Sequence, residues 1–300
     1  MLGDKKYKIQ PVKFQSADGF CAADFYRPGA EKFGVIIMAH GFAAERSWKL
    51  PEYAAHFAAN GIGVLLFDYR NFGDSPGEPR QLISPARHLQ DYESALSFIQ
   101  GHSQVDSNRI GVWGASFSAG HSVYLAAKNP KIAAISLLVP FLDFWPVLQK
   151  IPPLAVAGLL PFAVADWFLS LVNLALPLQI VGDPGEAAML TFPGWKKGIL
   201  DGVPADSKWI NAAPARVALE LPFFRPAQVA DSLKMPVLVQ YGSRDTGIPA
   251  EAVKDFCSKL NNVELQEFRM GHIDPFQNKW FPKIADAQLQ FFQKHLHRDQ

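Results

Sequence analysis

Residues 110–120 read Ile-Gly-Val-Trp-Gly-Ala-Ser-Phe-Ser-Ala-Gly. An apolar run enters Gly114-Ala115-Ser116-Phe117-Ser118, and a helix-forming stretch leaves it. Small residues two before and two after Ser116 let a strand and the next helix approach without a clash. The turn between them then holds the Ser116 hydroxyl out of the sheet, at a helix N-terminus. A buried structural serine has no need of that geometry, whereas a nucleophile does. Ser118 stands where the G-x-S-x-G pattern has glycine, and with small neighbours of its own it is the rival nucleophile. A strand over 110–113 decides for Ser116, because it puts Gly114 at the tight position and Ser118 half a turn into the helix.

The rest of the chain supplies a setting for such a turn. Residues 7–27 alternate as a hairpin about Asp18-Gly19. Residues 34–39 and 64–67 are short apolar runs suited to strands buried on both faces. Helical spacing covers 50–60, 84–100 and 117–128, and further strands are expected at 110–113 and 133–139. From about 141 to 225 the rhythm breaks into a Pro-, Trp-, Phe- and Leu-rich segment. It resumes with strands at 237–241 and 263–268, a helix near 249–260 and a closing helix at 279–296. Alternation of this kind means a mostly parallel sheet with helices on both faces. The expected organisation is a core of residues 1–140 and 226–300, interrupted by a mainly helical insertion at 141–225. Ligands bind such sheets at the carboxyl ends of their strands, where the serine turn lies.

Composition narrows the function. A formal net charge of +1 with no basic block argues against nucleic acid. Cys21 and Cys257 are the two cysteines, far apart and not in a C-x-x-C pair, and read as free thiols. No His/Cys/Asp/Glu cluster has metal-ligand spacing, so neither a metal nor another cofactor is expected. The N-terminus Met1–Lys8 has no apolar stretch after its charges, which makes a cytoplasmic location the expectation. Residues 154–178 carry a single charge, Asp166. Pro152, Pro153, Pro161 and Pro177 flank or interrupt them, so shorter helices packed on the core are expected rather than an integral membrane span. Contact with a lipid surface through this segment stays open.

A serine hydroxyl needs a base, and the base a carboxylate to hold it. In this topology both belong in loops after late strands, in the order serine, acid, histidine. Asp245 follows the strand at 237–241 and His272 follows the one at 263–268. Asp143, just past the strand at 133–139, is the rival acid. Asp274 lies too near His272 in the same loop to be chosen. The backbone N–H groups of Phe117 and of Phe42, in His40-Gly41-Phe42, are the expected oxyanion donors. His40 reads as a structural hydrogen-bonding residue. His121, His295 and His297 read as helix-surface residues.

With these residues in place the chain resembles an α/β-hydrolase over roughly 34–140 and 235–296. The likeness rests on His40-Gly41-Phe42, the stretch Asp68 to Ser75, the serine turn and the Asp245 and His272 loops. It is similar to lid-bearing serine hydrolases of the dipeptidyl-aminopeptidase-like esterase group. Gly77 to Gln81 and Phe117 to His121 also resemble the polyketide transferase and thiohydrolase type. Members of this fold often have Gly where Asn71 and Ser118 stand. The resemblance implies a sheet of about eight strands with a cap, and ester, thioester or amide cleavage, or acyl transfer, through an acyl-enzyme.

The resulting expectation is a cofactor-free serine hydrolase acting on carboxylic esters, its partner a small-molecule ester or acyl substrate. Ser116, Asp245 and His272 form its triad. Phe144, Trp145, Phe162 and Trp167 of the insertion suggest an apolar acyl pocket. Thioester hydrolysis or acyl transfer is the alternative of the same mechanism, and a receptor-like binding module with vestigial hydrolysis is the alternative of another class. Oligomeric state is left open.

Overall fold

A computed structural model of the chain describes residues 6–296. His297 and the first five residues of the N-terminal stretch lie outside the described residues. The described residues open with a hairpin of β1 (Tyr7–Ser16) and β2 (Gly19–Pro28), whose turn uses Ala17 at φ 42° and Asp18. Then come β3 (Phe33–Ala39), α1 (Leu50–Ala59), β4 (Gly63–Phe67), α2 (Pro85–Gln100), β5 (Val105–Ala115), α3 (Phe117–Lys128) and β6 (Ala134–Leu138).

The inserted segment holds α4 (Phe144–Leu148), α5 (Pro153–Ser170), β7 (Pro177–Val181), β8 (Ala188–Leu190), α6 (Trp195–Asp201), β9 (Ala213–Pro214) and α7 (Val217–Glu220). The core resumes with β10 (Val237–Gly242), α8 (Ala250–Ser258), β11 (Val263–Phe268) and α9 (Phe281–Leu296).

Eight strands form one sheet in the order β1-β2-β4-β3-β5-β6-β10-β11, parallel from β4 onward. Strand periodicity explains why both faces are covered. In β3, Val35, Ile37 and Ala39 enter one buried cluster, while Ile36 and Met38 enter the other. The strand order reverses about β3, which lies between β4 and β5. The loops after β3 and β5 therefore leave the same sheet edge side by side, with Ala39 paired to Gly114.

The insertion departs from expectation in three ways. It contains a small three-stranded sheet, β8-β7-β9. Its strands are too short, and too interrupted by Pro177 and Pro214, to show a period of two. Residues 153–170 form one continuous helix with Pro161 inside it, rather than shorter ones. Pro153 occupies the first turn, where a missing N–H costs nothing. Nor is α5 packed on the core as expected: Leu154 is 87% exposed and Phe168 59%, and by length and composition the helix could cross a membrane.

Its anchor is Asp166, fully buried, which accepts hydrogen bonds from the Leu176 and Arg216 amides and from the Arg216 guanidinium. The insertion is tied to the core where Gln81 donates to the carbonyls of Ile210 and Ala212, and Trp209 Nε1 to that of Ala43.

Candidate active site

Ser116 sits at φ 54°, ψ −117°, a left-handed conformation that a non-glycine residue adopts only when its surroundings force it. Here the forcing contacts are backbone bonds on both sides. Ser116 N donates to Leu138 O at 2.9 Å, and Phe141 N donates to Ser116 O at 2.9 Å. Gly114 is required because a Cβ there would lie 2.5 Å from Ser118 O and Ser122 Oγ. Ser118 is fully buried, and its hydroxyl packs against the strand end: it accepts from Ala115 N at 2.8 Å and lies 3.0 Å from Ala39 O.

The loops after β10 and β11 meet the serine. His272 Nε2 lies 2.9 Å from Ser116 Oγ, and His272 Nδ1 lies 2.6 Å from Asp245 Oδ2. Asp245 Oδ1 accepts from the amides of Gly247 and Ile248, both at 2.9 Å, which leaves the other oxygen for the imidazole. Asp274 accepts from Gly271 N at 2.8 Å and so fixes the loop that carries the histidine. Asp143, the rival acid, is engaged elsewhere. It caps α4 through Trp145 N and pairs with Arg225 Nε at 3.0 Å.

The loop after β3 presses on the same place. A Cβ on Gly41 would lie 3.3 Å from Ala115 O and 3.4 Å from Ser116 Cβ. Among the described residues, neither the Phe42 nor the Phe117 amide donates to a protein acceptor. His40 Nδ1 lies 3.0 Å from Gly41 O, and burial pushes its imidazole down to about 4. His121, expected on a helix surface, is instead fully buried between Phe117 O and Pro85 O. Burial likewise holds it at about 4. His295 is half-buried on α9.

Ser116 and His272 open onto a cavity of about 660 Å³ lined by core and inserted residues. Phe144 lines it. Trp145, Phe162 and Trp167 do not; they are 47%, 42% and 47% exposed, because α4 and α5 turn them to the outside. The apolar wall comes instead from Phe141, Val147, Phe192, Trp195 and Ile199. Phe192 to Ile199 lie in the stretch without a readable period, and only their aromatic and aliphatic content hinted at a role. Among the described residues no three His, Cys, Asp or Glu side chains gather as a metal set.

A doubly covered parallel sheet bearing a serine on a strained strand–helix turn defines an α/β-hydrolase. The chain belongs to the family described as serine aminopeptidase, S33, whose model matches residues 30–270. It is 30% identical to the quorum-quenching protein AidA of Acinetobacter baumannii over 286 residues, covering 94% of each chain. It is 32% identical to the polyketide transferase ATR5 of Stachybotrys chlorohalonatus over 295 residues, covering 96% of this chain and 97% of that one. The crystal structure of the α/β-hydrolase GrgF from Penicillium sp. sh18 matches with a TM-score of 0.83 at 22% identity, over 96% of this chain and 99% of that chain. DcsB in complex with its substrate analogue gives 0.82 at 23%, with the same coverage of each chain. At those identities the two structures speak for the fold alone.

Proposed function

We propose that the protein is a serine hydrolase that cleaves carboxylic esters through a Ser116–His272–Asp245 triad. The observation that carries this reading is the unbroken hydrogen-bond chain of 2.9 and 2.6 Å from a strained serine through an imidazole to a carboxylate. Ser116 Oγ attacks the ester carbonyl carbon while His272 Nε2 takes its proton. Asp245 holds the tautomer whose Nε2 is free to accept. The negative charge developing on the carbonyl oxygen falls to the Phe42 and Phe117 amides, which have no other acceptor among the described residues. As the tetrahedral intermediate collapses, His272 returns the proton to the leaving alcohol. Water, deprotonated by His272, then cleaves the acyl-enzyme. The largely apolar cavity suits an apolar acyl group, and the inserted segment over it acts as a lid.

A second reading has the same first half-reaction, with an alcohol, amine or thiol in place of water. The similarity to a polyketide transferase over nearly the whole chain favours it. A fluorophosphonate label followed by peptide mapping tests what both readings share. Labelling should fall on Ser116 and vanish in Ser116→Ala. Labelling that persists in that variant, or falls on Ser118, refutes the triad. Product analysis with p-nitrophenyl butyrate, with and without added alcohols and thiols, then separates hydrolysis from transfer.

A further inference from the structure

We propose that Trp195, carried by the inserted segment, is a positioning residue for His272, its indole face holding the imidazole and stabilising the cation that forms there during the reaction. This rests on the triad reading above. The two rings stack with centroids 4.1 Å apart and planes 16° from parallel. Asp245 and Ser116 hold the imidazole at its edge, and Trp195 covers a face.

The indole is itself fixed by packing. Phe192 packs tilted against it, with ring centroids 4.7 Å apart. Gly247 lies so close that a Cβ there would come within 2.4 Å of the indole. Gly247 is also one of the two amide donors to Asp245, so a single loop serves both the carboxylate and the indole. Trp195 is 6% exposed, and among the described residues its Nε1 is buried without a hydrogen-bond partner. A buried unpaired donor is destabilising, and a phenyl ring would avoid it. What the indole offers in return is its π face, the best of the aromatic side chains for a cation. When the Ser116 oxygen bonds to the carbonyl carbon, its proton moves to Nε2 and the imidazole becomes an imidazolium facing that ring. Proton and charge balance within the triad, and no further reactant is needed. Because Trp195 opens α6 of the insertion, the catalytic histidine is complete only with the insertion in place.

The test uses the full chain with Trp195→Met and Trp195→Phe. It measures kcat and KM on p-nitrophenyl butyrate and the rate at which a small fluorophosphonate modifies Ser116. The fluorophosphonate reports nucleophile activation without occupying an acyl pocket. Trp195→Met should lose about 10- to 30-fold in both kcat and modification rate, beyond any change in KM that follows from its place in the cavity wall. Trp195→Phe should recover most of the loss. Should Trp195→Met fail to fold, Phe192→Leu, which loosens the packing of the indole, must show a smaller loss of the same kind. Wild-type modification rates in Trp195→Met, whatever its KM, overturn the proposal, as does a phenylalanine variant as impaired as the methionine one. An unaltered chain that is not modified at Ser116 overturns the triad reading, and this one with it.

Discussion

Ser116 and Ser118 stand two positions apart with similar small neighbours, and their surroundings separate them. The left-handed turn at Ser116 leaves its oxygen facing His272, whereas the Ser118 hydroxyl is spent on the end of β5. Ser118→Ala therefore strips a partner from the buried Ala115 amide without touching the cavity. We expect a stability loss of about 1–2 kcal/mol by urea titration, with fluorophosphonate labelling of Ser116 intact; loss of labelling in a folded variant would count against this division. Asp245→Asn acts differently. The Gly247 and Ile248 amides select the amide oxygen of the new side chain, which turns its NH₂ toward His272 Nδ1. Nδ1 must then accept, the imidazole proton moves to Nε2, and the base can no longer take the serine proton. The expected loss in kcat is on the order of 10³–10⁴ with little change in melting temperature. A loss below tenfold would mean that Asp245 does not set the tautomer.

The elements of the core were legible because each carries one strong physical signal. Buried runs such as 34–39 mark strands, and Gly114 and Ser116 mark the elbow. A loop after each late strand marks where Asp245 and His272 must stand. The insertion carries no such signal. Its strands rest on pairings that span up to 37 residues, as between Pro177 and Pro214, and its long helix keeps Pro161. Its apolar side chains do not announce which face they present. Phe144 turns inward while Trp145, its neighbour, turns out, and this depends on tertiary packing that local sequence does not encode.

The insertion should also be the less stable unit. Asp166 ties α5 to the rest of the insertion, and Asp166→Ala leaves the Arg216 guanidinium and two amides without their acceptor, a change of about 3–5 kcal/mol for a buried pair. With α5 otherwise so exposed, that cost should appear as local opening. Limited proteolysis should then cut within 150–176 well before the sheet unfolds. Cleavage no faster than in the unaltered chain would show that Asp166 is not the anchor.

For the molecule as a whole, the same burial that builds the site sets its response to acid. His40, His88 and His121 are buried side by side beneath the serine turn, with ring centroids of His88 and His121 at 5.4 Å and His88 stacked on Tyr69 at 3.9 Å. Burial holds His40 and His121 at about 4 and His88 well below the usual imidazole range; His88 is further opposed by its two histidine neighbours. The unfolded chain takes up protons at these positions near pH 6.5 and the folded chain does not. Stability from this source is therefore complete above pH 6.5 and drains away as pH falls toward the folded values. The loss is on the order of 1–2 kcal/mol for each histidine between pH 6.5 and 5. Asp68 and Asp91, pushed upward by their burial, act in the opposite sense, since the folded state then holds their protons more tightly than the unfolded chain. Their contribution enters as pH falls through those raised values, so the histidine effect is read by comparison with a variant that leaves both carboxylates in place. Urea midpoints should fall steadily from pH 7 to 5. In His88→Phe, which keeps a ring stacked on Tyr69, the slope should lessen by close to one proton's worth. An unchanged slope in that variant would mean that His88 is already protonated in the fold, and that the buried cluster is held by charge rather than by its absence.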